Sequence, residues 1–97
     1  MRHNLSERLR QTKENEIELT SRRASQIETM IAEFRRMCID LGHQIEAEEK
    51  RAQIDDPTHF AYPTYAKAAR ERRAKLQQSA DVFETELERL NAYREAA

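Results

Sequence analysis

Apolar residues recur along this chain with a period of seven. In the first half Ile17, Ala24, Ile31, Cys38, Ile45 and Ala52 fall seven residues apart, and Thr20, Ile27, Phe34 and Leu41 follow the same period three positions later. The second half repeats the arrangement, with Ala66, Arg73, Ala80 and Leu87 on one line and Ala69, Leu76, Phe83 and Leu90 on the other. These are the a and d positions of a heptad repeat, the narrow apolar stripe of a left-handed coiled coil. Arg73 is the one charge in that second seam. Between the halves lie the only two prolines, Pro57 and Pro63, and no helix runs through such a pair. The pattern predicts an all-α fold: an antiparallel two-helix coiled-coil hairpin, one domain over residues 1–97, with an aromatic, proline-flanked hinge.

The boundaries follow from caps and breakers. Helix 1 is expected over about 4–54, with Asn4 as N-cap and Glu7 three residues on. The hinge covers 55–62. Helix 2 is expected over about 63–95, with Pro63 suited to its first position. A short hinge makes the helices antiparallel neighbours. Setting Ile54 opposite Pro63 gives a register in which paired residue numbers sum to about 117. The acidic group Glu46, Glu48 and Glu49 then lies beside the basic cluster Lys67, Arg70, Arg72, Arg73 and Lys75. The same register leaves roughly the first twenty residues as an unpaired stem, and upstream of Ile17 the heptad positions turn polar. A lone helix of that size is marginal in water unless something packs on it.

Composition narrows the function classes. Of 97 residues 36% are charged and 38% apolar, with one glycine and no tryptophan, which suits a helical rod rather than a globule with a thick core. The net charge of −1 argues against non-specific nucleic-acid binding. The basic cluster at 67–75 is read first as pairing with helix 1, and phosphate contact as the weaker reading. Apolar runs are too short to insert in a membrane, and no leader peptide is evident. The single cysteine, Cys38, suits a reducing cytoplasm and, at an a position, a buried small hydrophobe. His3, His43 and His59 are far apart and form no spaced ligand set with Cys38. No catalytic constellation and no phosphate-binding glycine loop is present, so neither an enzyme nor a cofactor is expected.

The residues left over are apolar and point to protein partners. Leu5, Leu9 and Leu19 sit on the stem, off the seam. Met30 and Met37 lie one heptad apart at g positions, where they either broaden the core or offer an adaptable contact surface. Phe60, Tyr62 and Tyr65 form either a recognition knob or a cap over the open end of the hairpin. These eight residues are the candidate partner-binding set. The unpartnered apolar surface predicts a homodimer when the protein is isolated, forming a four-helix core.

The block from Ser25 to Phe34, followed by Gln44 to Glu49 and by the hinge from Asp56 to Ala69 (Asp-Pro-Thr-His-Phe-Ala-Tyr-Pro-Thr-Tyr-Ala-Lys-Ala-Ala), resembles the FliJ-type flagellar export proteins of alphaproteobacteria. The resemblance covers residues 24 to about 90. It implies a long antiparallel coiled coil similar to the central stalk of rotary ATPases. It also implies a non-catalytic, cytoplasmic role in bacterial flagellum biogenesis, engaging the hexameric export ATPase and the export gate of the flagellar type III protein export apparatus. The residue pattern alone leaves a second class open, a small helical regulatory protein binding another coiled coil or a signalling or transcription protein.

Overall fold

The computed structural model describes residues 4–97. Two helices account for nearly all of them: α1 spans Leu5–Ala52 and α2 spans Thr64–Ala96. They pack side by side as a hairpin, giving a rod of 78 × 17 × 17 Å. There is no strand among the described residues.

Each helix end has a local cause. Asn4 caps α1, its Oδ1 accepting a hydrogen bond from the Glu7 amide at 2.7 Å, which satisfies one of the free donors of the first turn. At the other end α1 stops at Ala52, two residues before the expected Ile54 and well before Pro57. The terminator is Gln53 in the left-handed conformation at φ 57°. Its amide donates to Lys50 O, and the next amide, Ile54, donates back to Glu49 O at 3.2 Å, the pairing of a Schellman motif. Glycine is the usual residue there because a Cβ costs energy at positive φ. Gln53→Gly should therefore raise the stability of the hairpin by up to about 1 kcal/mol, measured by thermal melting. Pro63 stands one position outside α2 and caps it through its carbonyl, which accepts from the Lys67 amide. It is not the first helical residue.

The core is the predicted seam. Ala24, Ile27, Cys38, Leu41 and Ile45 of α1 are buried, as are Ala66, Ala69 and Ala80 of α2. Leu41, Ile45 and Ala69 cluster with Leu76 against them, and the Phe34 and Phe83 rings meet at 5.9 Å. Among the described residues Ile27 is the one large side chain that is fully buried, so the seam is thin. Small residues line it on both sides, Ala24 on α1 and Ala66, Ala69 and Ala80 on α2. Cys38 is buried as expected, its Sγ–H directed at the Arg73 carbonyl at 3.7 Å. Arg73, the charge in the seam, is half-buried and lies over Gly42, where no side chain competes for the space.

The register differs from the sequence expectation. Along one flank the g-position contacts are Gln44 with Tyr65, Arg23 with Glu86 and Glu16 with Tyr93, and the numbers of each pair add to 109. Along the other flank the e-position contacts are Glu49 with Arg70 and Arg35 with Glu84, adding to 119. The seam between them, as at Ile45 and Ala69, adds to 114 rather than 117. The slip is about three residues. The early end of α1 at Gln53 acts in this direction, because it centres the reversal nearer the α1 side, and α2 reaches further along α1. Tyr93 touches Glu16 and Lys13, so pairing extends past residue 20 and the expected stem is shortened.

Candidate functional site

The hinge is an ordered loop. Asp56 Oδ1 accepts from both the amide and the hydroxyl of Thr58, at 2.9 and 2.7 Å, forming the side-chain-mediated turn typical of aspartate before proline. His59 donates its amide to Asp56 O, and its Nδ1 accepts from the Ala61 amide. The Tyr62 amide then closes on His59 O at 3.0 Å. The loop thus satisfies much of its own backbone locally.

That geometry separates the three hinge aromatics. Tyr62 is buried, and its hydroxyl donates to Glu49 Oε2 at 2.8 Å while accepting from Arg70 Nε at 2.8 Å. Arg70 Nη2 donates to the same carboxylate oxygen at 3.0 Å, and its guanidinium lies over the tyrosine ring. Tyr62 therefore closes the end of the hairpin and is withdrawn from the partner-binding set: its ring packs inward and its hydroxyl is fully engaged. Phe60 is the opposite case. It is 97% exposed and touches only the stacked His59 ring, 4.7 Å away. Tyr65 is exposed on the g flank and donates to Gln44 at 2.8 Å.

The Arg70 and Tyr62 hydrogen bonds hold the Glu49 carboxyl below its ordinary range, and the two bonds from Thr58 do the same for Asp56. A carboxylate with a lowered pKa in the folded state contributes stability above its unfolded pKa and loses it as pH falls through the folded value. Melting temperature should be flat from pH 7 to about 5 and drop below ~4, the ordinary carboxylate range. Glu49→Gln should shrink that acid-dependent drop, which circular dichroism melts across pH would measure.

The two long sides of the rod differ in character. The e side is closed by ion pairs. Arg35 reaches both Glu84 and Asp81, at 3.0 and 2.9 Å, and its pKa is raised by those two acceptors. The Glu49–Arg70 pair continues the row toward the hinge. Here the expected meeting of acidic and basic clusters is realised in one pair, while Glu48 is taken by Arg51 on its own helix. The g side carries one such pair, Arg23 with Glu86, and is otherwise richer in exposed apolar residues. Leu5, Leu9, Leu19 and Met37 of α1 and Tyr65, Val82 and Tyr93 of α2 are all exposed at g or c positions, and Met30 is half-buried beside them. Because α2 runs backwards, these residues interleave along the rod axis into one stripe, crossed by that pair. Near the hinge the stripe deepens into an open groove of about 360 Å³ with Leu41, Ala68 and Ala69 in its floor and Asp40 and Arg72 on its rim. Ile39 is the one large exposed apolar side chain of the two helices that lies off this side, at a b position.

Thus six of the eight candidate residues, namely Leu5, Leu9, Leu19, Met30, Met37 and Tyr65, fall on one side of the rod. Val82 and Tyr93 were missed by sequence reading, though both sit at c and g positions of the same heptad frame as Met37. Phe60 stands apart at the tip. Among the described residues no three metal-ligating groups come together, and His43 and His59 are exposed. His3 lies outside the described residues. No helix is long and apolar enough to cross a membrane. The chain matches no protein-family model, no curated protein and no solved structure.

Proposed function

We propose that this chain is a non-catalytic coiled-coil adaptor of the flagellar type III protein export apparatus, acting in the cytoplasm on the export ATPase and the export gate. The observation that carries the reading is the asymmetry of the rod: one long side closed by ion pairs, the other an apolar stripe interrupted by the single pair Arg23–Glu86 and suited to a partner helix. Its assignment to flagellar export rests on the resemblance of residues 25–34, 44–49 and 56–69 to FliJ-type proteins. The mechanism is associative. The stripe supplies apolar area, Met30 and Met37 adapt to the partner's shape, and Phe60 at the tip supplies a separate aromatic anchor of the kind that dominates interfaces.

In isolation the same stripe, left in water, drives self-association, and dimer stability then rises with protein concentration. Pull-down of the export ATPase and gate proteins tests the adaptor role, with Leu19→Asp and Met37→Asp expected to abolish capture while leaving the helical signal intact. Absence of capture, together with normal motility after deletion of the gene, would sink it. Deletion that alters transcript levels while flagellar secretion stays normal would assign the protein to the helical regulator class instead.

A further inference from the structure

We infer that the apolar side binds a second copy of the chain in a parallel, face-to-face dimer, with the two-fold axis running along the rods and both hinges at the same end. This deepens the self-association reading above and rests on it. The stripe has a known order along the rod, because the seam sets the α2 residue level with α1 residue n at about 114 − n. By that rule Arg72 is level with Gly42 and Lys75 with Ile39. The α1 edge of the face carries Asp40 at that height and Glu33 two turns away, both exposed. One edge of the face is therefore acidic and the other basic over the same stretch.

Two symmetric arrangements bring such faces together. In the antiparallel one α1 lies over α1 of the partner, and when the rods overlap about this stretch Glu33 and Asp40 meet their own copies. In the parallel one α1 lies over the partner's α2, level with level, and the acidic edge meets Arg72 and Lys75 twice over. The parallel arrangement also sets Val82 near the partner's Met30 and Tyr93 near the partner's Leu19. A two-fold contact must be self-complementary in this sense, and like charges brought together across an interface cost several kcal/mol. The rod's whole 78 × 17 Å silhouette, roughly 1,300 Å², is the upper bound for that face, and it leaves room for a standard interface of about 800 Å² per partner.

Two experiments decide it. Sedimentation of the full chain should show a dimer. Glu33→Lys with Asp40→Lys, or Arg72→Glu with Lys75→Glu, should each weaken it at least about tenfold. Mixing the two variants should restore association, because every reversed edge then meets its opposite. Spin labels at Thr58→Cys in a Cys38→Ala background should lie within about two rod widths of each other, the rod being 17 Å wide, rather than toward its 78 Å length. A dimer with widely separated hinges, or one indifferent to both charge reversals, overturns the parallel arrangement and leaves self-association standing. A monomer at all concentrations overturns both and assigns the face to a helix of a different protein.

Discussion

Ile27→Asp is expected to unfold the hairpin. Ile27 is, among the described residues, the one large side chain with no exposed surface, and it lies in a seam one layer thick, so no second layer of apolar residues can rearrange to admit a charge. A carboxylate placed there without a partner costs about 4 kcal/mol or more, against a total stability of about 5–15 kcal/mol for an ordinary domain. A two-helix rod is at the lower end of that range. Circular dichroism should show loss of most of the helical signal or of the cooperative melt. Ile39→Asp is the control: same helix, same chemistry, but 59% exposed on the outer face, with an expected change within about 0.5 kcal/mol. Equal effects from the two substitutions would refute the seam.

The second large effect is expected at Tyr62. Removing a buried aromatic ring costs about 3–5 kcal/mol, and here the Glu49 carboxylate and Arg70 guanidinium would also lose their shared hydroxyl. Tyr62→Ala should therefore lower the melting temperature sharply and loosen the hinge end first, seen as fast amide exchange around Glu49 to Ala69. Tyr62→Phe keeps the ring and loses only hydrogen bonds to charged groups, about 1.5–3 kcal/mol. Phe60→Ala, two residues away, should leave the melt unchanged because that ring packs on nothing but His59. If Phe60→Ala instead diminishes partner capture, the hinge carries both roles that its aromatics suggested, divided between two residues. A melt equally sensitive at both positions would refute that division.

The pattern of apolar positions by itself determined the two helices, their antiparallel packing and which residues form the seam. These are local or periodic properties: a seven-residue repeat leaves one stripe to bury, and two prolines forbid a continuous helix. Even the special cases were legible, with Cys38 buried in the seam and Arg73 as its lone charge. The register was not, because it depends on where along the chain the turn is centred. Nothing in the composition of Gln53 announces the left-handed backbone that ends α1, and three residues of slip are within the reach of any loop estimate. The fate of the hinge aromatics was equally closed to sequence. Phe60, Tyr62 and Tyr65 are alike in apolar area, and only the chain reversal that places Glu49 and Arg70 on either side of one hydroxyl selects Tyr62 for burial. The apolar side of the rod was hidden for the same reason. Leu19 and Met37 lie on one helix and Val82 and Tyr93 on the other, and they become one surface only when the antiparallel register interleaves them.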